Sequence, residues 1–89
     1  MSSAYNKVEA WAKRNNQEVE ELDKVGVYMN ASKLCKHRAL NTYNGSGFMD
    51  AVLDNDLHKA VVLADSTNIK YIAFYVYALC NVVITGDDL

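Results

Sequence analysis

Ile69-Lys70-Tyr71-Ile72-Ala73-Phe74-Tyr75-Val76-Tyr77-Ala78-Leu79-Cys80-Asn81-Val82-Val83-Ile84 is apolar or aromatic at every position except Lys70 and Asn81. Tyr, Ile, Phe and Val also favour strands, but a run of this length exceeds the usual strand of about 5–6 residues. The spacing therefore predicts a helix, and one without a polar face. Its main stripe is Ile69, Ile72, Ala73, Val76, Leu79, Cys80 and Val83, with Tyr71, Phe74, Tyr75 and Tyr77 spread over the remaining sides. An ordinary surface helix carries an apolar stripe about 100° wide, and one that is apolar all round has to be covered on every side. Small domains bury only about 60% of the surface their unfolded chains expose. The segment is thus expected at the centre of the fold, with part of its circumference completed by a second molecule. It falls short of the roughly 20 residues needed to span a bilayer.

Working back from this run, Asp65-Ser66-Thr67-Asn68 supplies several helix caps. Before them, Met49, Val52, Leu53, Leu57, Ala60, Val61 and Ala64 repeat at helical spacing and predict a third helix. Asp54, Asn55, Asp56 and Lys59 fall mostly on its opposite side, and Ser46 is placed to cap it. Residues 41–47, Asn-Thr-Tyr-Asn-Gly-Ser-Gly, form the clearest loop, since Asn-Gly tolerates positive φ. Residues 17–40 place Glu18, Glu20, Glu21 and Asp23 ahead of Lys24, Lys33, Lys36 and Arg38, the order a helix dipole favours. Val19, Leu22, Val25 and Met29 give a three-to-four-residue period there, and Gly26 with Asn30-Ala31-Ser32 suggests a break. At the start, Ser2 and Ser3 can cap a first helix whose buried stripe is Tyr5, Val8, Trp11 and Ala12. Lys13 and Arg14 lie in its last turn, with Asn15 and Asn16 as stops. Gly86-Asp87-Asp88-Leu89 reads as a stop and an exposed acidic tail.

The 89 residues contain no proline, so nothing obligatory interrupts long helices. We expect an all-α fold, a compact four- to five-helix bundle over residues 1–89 as one domain, built around the apolar C-terminal helix. At 51% hydrophobic, 22% charged and a net charge of −2, the composition is that of a globular chain. It has no general attraction to nucleic acid or anionic membrane. Two cysteines are too few for a disulfide framework, and no basic, apolar leader opens the chain. Both thiols are expected reduced, with Cys80 in the core, in a cytoplasmic protein.

No catalytic signature stands out. Cys35, His37, His58 and Cys80 are zinc-ligand types, but only Cys35 and His37 are close, at a spacing unusual for ligands. No acylation motif surrounds either cysteine. Asn44-Gly45-Ser46-Gly47 lacks the lysine of a phosphate-binding loop and the third glycine of a dinucleotide fingerprint. Lys33, Lys36, His37 and Arg38, with Tyr28 and Tyr43 nearby, form one basic patch of a kind that grips phosphates, although positive charge at a helix C-terminus also explains it. We expect no cofactor, no metal and no enzyme activity. The candidate partner-binding residues are Tyr71, Phe74, Tyr75 and Tyr77, because such rings give rigid contact area. The acids Glu18, Glu20, Glu21, Asp54 and Asp56 join them, because clustered carboxylates steer encounters with basic partner grooves.

Tyr28-Met29-Asn30-Ala31-Ser32-Lys33-Leu34-Cys35-Lys36 resembles the opening of KilA-N-type DNA-binding domains. The tryptophan-containing basic segment of that family is missing downstream. In its acidic, tyrosine-rich character the whole chain resembles small phage-encoded accessory proteins. Asn55-Asp56-Leu57, Ala64-Asp65 and Asn68 leading into an aromatic helix look like a segment that recurs among them. That resemblance implies an inhibitor that binds and blocks a host protein or ribonucleoprotein complex, as anti-CRISPR proteins block CRISPR–Cas effectors. A homodimer is expected, and the alternative is a small nucleic-acid-binding transcriptional regulator.

Overall fold

The computed structural model describes residues 3–42 and 47–89, and these form an all-α fold. Six α-helices and one 3-10 turn are present among the described residues, more elements than the four or five expected. They are α1 (Ser3–Arg14), α2 (Lys24–Leu40), α3 (Gly47–Leu53), α4 (Leu57–Leu63), α5 (Ser66–Lys70) and α6 (Ile72–Asn81), followed by the turn Gly86–Asp88. The caps expected at Ser2 and Ser46, Tyr43, and the Asn-Gly turn at residues 44–45 lie outside the described residues.

α1 follows its pattern: Tyr5, Val8, Trp11 and Ala12 are all buried. α2 does not. It runs unbroken through Gly26 and Asn30, and the glutamates precede it in an irregular stretch and a turn. Of the expected period only Val19 is buried; Leu22 is 95% exposed, and Val25 and Met29 also face solvent. The buried face is instead Val27, Tyr28, Ala31, Leu34 and Cys35, at the same period in a different phase.

Helix ends are set by asparagine. Asn16, Asn41 and Asn55 have φ of 53°, 54° and 62°, the left-handed conformation that asparagine tolerates better than other side chains. After each, the next amide donates to a carbonyl five residues back: Gln17 to Ala12 at 3.0 Å, Thr42 to His37 at 3.1 Å, Asp56 to Ala51 at 2.8 Å. The asparagine amide itself donates three residues back, to Lys13, Arg38 and Val52. This is the Schellman arrangement, which satisfies carbonyls a helix would otherwise leave open. At Asn55 it divides the expected third helix into α3 and α4. Asp56 then restarts the chain by accepting from the Lys59 amide at 3.1 Å. Asp65 caps α5 in the same way, accepting from the Asn68 amide at 2.8 Å.

The C-terminal run is likewise divided. Tyr71 leaves helical geometry (φ −111°, ψ 19°) between α5 and α6. Its hydroxyl donates to Asp23 at 3.2 Å and accepts from the Glu20 amide at 3.1 Å, which ties this joint to the stretch before α2. α6 ends at Asn81, three residues before the expected limit. The β-branched residues that follow are extended, with Val82 and Ile84 buried and Val83 exposed between them. Three cation-mediated contacts hold this end. Arg38 donates to the carbonyls of Leu79 and Val82, and Lys7 to that of Val83 at 3.0 Å. The tail is not a free acidic end: Asp88 accepts from Lys7 at 2.7 Å and from the Thr85 amide at 2.9 Å.

A chain of aromatic rings links the helices. Tyr5 meets Tyr28, Tyr28 stacks on Phe74 at 5.9 Å, and Phe74 touches Trp11 and Tyr75; Tyr75 in turn meets Phe48. Pairs of this kind contribute about 0.5–1.5 kcal/mol each beyond their burial. The radius of gyration, 12.2 Å, is about that of a close-packed globule of this length.

Candidate interaction surface

The phase of α6 decides what the molecule presents. Phe74, Tyr75, Ala78 and Leu79 point inward. Tyr75 is fully buried and its hydroxyl donates to the Asn68 side chain at 3.0 Å, while Asn30 donates to both at 3.4 Å. A buried phenol needs such a partner, and this triangle supplies it. The stripe Ile69, Ile72, Ala73, Val76, Leu79, Cys80 and Val83 is therefore not the buried one; of these only Leu79 is buried.

The opposite side of α6 carries Ala73, Val76, Tyr77 and Cys80, all exposed. Val76 is 45% exposed and Tyr77 51%. Beside them runs α4, a helix of seven residues in which only Ala60 is buried; Leu57 is 69% exposed, and Val61, Val62 and Leu63 also face solvent. Between α3, α4 and α6 lies a groove of about 70 Å³, walled by Val52, Leu57, Ala60, Ile72 and Val76, with Asn55 and Asp56 at its polar edge. Single exposed apolar residues are normal on any protein. A contiguous apolar area around a groove is a different matter, and marks binding surfaces.

Among the residues singled out from the sequence, Tyr71, Phe74 and Tyr75 are buried and hold the core together, so of the four aromatics only Tyr77 is available to a partner. Asp54 and Asp56 are exposed at the α3–α4 corner, beside the groove. Glu18, Glu20 and Glu21 lie in the segment that precedes α2. Glu20 pairs with Lys70, and Glu21 with Lys24 at 2.9 Å. Asp56 lines the groove, and none of the three glutamates does. Leu57, Val61, Val76 and Cys80 belong to the surface but were assigned to the interior or passed over. The signal for α4 was the triplet Asp54-Asn55-Asp56, three residues suited to ending and starting helices.

Cys80, expected in the core, is exposed, and the buried thiol is that of Cys35. Cys35 is buried against the Ala78 carbonyl, and burial pushes its thiol up to about 11, so it is neutral at physiological pH. Cys80 is exposed on the outer side of α6. His37 pairs through Nδ1 with the Thr42 hydroxyl at 2.9 Å, and His58 is exposed. No group of three or more His, Cys, Asp or Glu side chains that could hold a metal ion occurs among the described residues. Of the basic patch, Arg38 is turned onto the end of α6. No described helix is long and apolar enough to cross a membrane. Compared with known proteins, the chain matches no family model, no curated protein and no solved structure.

Proposed function

We propose that this chain is a non-enzymatic protein-binding module whose working surface is the outer side of α6 together with α4. One observation carries the reading: Ala73, Val76, Tyr77 and Cys80 face solvent on α6 beside an apolar groove, and none of the described residues covers them. Fully burying a side chain the size of valine or leucine is worth about 1.5–3 kcal/mol over leaving it exposed. A partner that covers Val76, Leu57 and Tyr77 gains a compact anchor of the kind that dominates interfaces. The resemblance to small phage accessory proteins supports a large target, a host protein or ribonucleoprotein complex such as a CRISPR–Cas effector. Blocking by occupation of a surface requires no chemistry from the inhibitor.

The test is a comparison of baits. Wild-type protein and a Val76→Asp variant are immobilised and exposed to bacterial host lysate, and the retained proteins are identified by mass spectrometry. The reading predicts a defined complex on the wild type that is lost from the variant. Equal recovery on both baits would show that the α4–α6 side is not the binding surface.

A further inference from the structure

We infer that the groove between α1 and the end of α6 binds the phosphate of a small organic phosphate monoester, with Lys7, Trp11 and Arg14 as its donors. The site shares no lining residue with the α4–α6 groove and goes beyond the protein-binding reading.

The sequence sets these three side chains in one row. Positions 7, 11 and 14 are spaced by four and then three residues, which places them on one face of α1. Lys7 and Arg14 are about 10 Å apart along the axis at 1.5 Å per residue, with Trp11 between them. Two long cationic side chains at that spacing reach a common point over the indole edge. Asn81, Val82 and Val83 form the facing wall and enclose about 290 Å³. That is close to the smallest ligand clefts, which start at about 300 Å³.

The groove is rich in donors and poor in acceptors. Lysine, arginine and tryptophan side chains only donate, and no carboxylate is among the residues that line the groove. Trp11 is 7% exposed, and its indole N–H has no acceptor among the described residues. No fully buried polar side-chain atom there lacks a partner, so this N–H lies at the exposed edge of the ring, the edge that walls the groove. Arg14 makes no ion pair or hydrogen bond through its side chain among the described residues, which leaves all five of its N–H donors. Lys7 donates to the Val83 carbonyl and to Asp88 and keeps a third N–H. Asp88 offsets one of the two cations, so the groove retains positive charge.

The carbonyls that would repel an anion are already taken. Those of Trp11 and Lys13 accept from the Asn15 and Asn16 amides, and Arg38 holds those of Leu79 and Val82. Three separate donor groups around one point match an anion with three oxygens. A phosphate monoester presents three, with a charge of about −1.5 to −2 at neutral pH, whereas a carboxylate presents two. Val82 and Val83 then face its organic part.

The chain has one tryptophan, so its indole N–H gives a single proton–nitrogen resonance that reports the site directly. Isotope-labelled protein is titrated with phenyl phosphate near neutral pH at constant ionic strength. The inference predicts a saturable downfield shift of that proton. Arg14→Met should weaken binding by about tenfold or more, the loss expected for charge-assisted hydrogen bonds, with Arg14→Lys recovering part of it. The helical spectrum of both variants should be unchanged, because Arg14 is exposed. Benzoate, which carries the same ring on a two-oxygen anion, and inorganic phosphate, which lacks the ring, should both bind more weakly. A shift no larger than sodium chloride produces at the same ionic strength overturns the site, as does saturable binding that Arg14→Met leaves intact. Benzoate binding as tightly as phenyl phosphate overturns the preference for phosphate, and equal affinity for inorganic phosphate overturns the organic ester.

Discussion

Replacing the three left-handed asparagines tests how this chain ends its helices. Asn16, Asn41 and Asn55 each sit at φ between 53° and 62°, where a Cβ crowds the following carbonyl. For most L-residues this conformation costs roughly 1–2 kcal/mol, and asparagine is among the few exceptions. Alanine at any of these positions should therefore destabilise the protein by about 1 kcal/mol, or about 4–8 °C in Tm for a domain of this size. Glycine fits the geometry without strain but adds about 0.5–1 kcal/mol of unfolded-state entropy. The two effects nearly cancel, so Asn→Gly should stay within about 0.5 kcal/mol of wild type. The sites end three different helices, and their effects should add to about 3 kcal/mol in the triple alanine variant. That is a large share of the roughly 4–13 kcal/mol expected for 89 residues. Urea unfolding followed by circular dichroism measures each variant, with the m-value reporting whether the native state stays compact. Glycine variants as damaged as the alanine ones would refute the argument from backbone geometry. Asn55 matters most for function, because its turn folds α4 back on α3 and so forms one wall of the groove.

Two further outcomes follow from the contacts around the C-terminal end. Arg38→Met leaves the carbonyls of Leu79 and Val82 without their cationic donor and should lower stability by about 1–2 kcal/mol in denaturant unfolding, with Arg38→Lys recovering part of it. The Lys7 ammonium beside Asp88, helped by the Thr85 amide, holds the Asp88 carboxyl below its ordinary value of 3.8. A folded value below the unfolded one means this stabilisation is complete above 3.8 and is lost as pH falls through the lower folded value. The Thr85 amide resonance should therefore report a docked turn through neutral and mildly acidic pH and its release only in stronger acid. Lys7→Met should move that release upward, towards 3.8.

The first helix was legible because Tyr5, Val8, Trp11 and Ala12 are apolar against a polar background, so period and phase are both visible. α2 offers two apolar registers, and the sequence does not rank them. Val25 and Met29 look as suited to burial as Val27 and Tyr28, and the choice falls to whichever register meets Tyr5 and Phe74 across the interface. In the C-terminal run almost every position is apolar, so periodicity carries no phase at all. What fixes the rotation of α6 is polar: the hydroxyls of Tyr71 and Tyr75 need Asp23, Glu20, Asn68 and Asn30, residues 7 to 51 positions away in sequence. The exposed apolar surface was anticipated in kind, as apolar circumference beyond what the chain can wrap. Of its residues Tyr77, Asp54 and Asp56 were singled out, but the other three aromatics, Tyr71, Phe74 and Tyr75, are the ones the core consumes.

The rotation of α6 is the claim on which the binding surface depends, and its two nearby thiols report it without mutation. Native protein in dilute solution at neutral pH is treated with iodoacetamide, and the adducts are located by mass spectrometry. The account predicts rapid modification of Cys80 alone, with Cys35 reacting only after denaturation because it is buried and neutral. Modification of Cys35 while Cys80 stays protected would place the supposed outer side of α6 in the core and contradict the account.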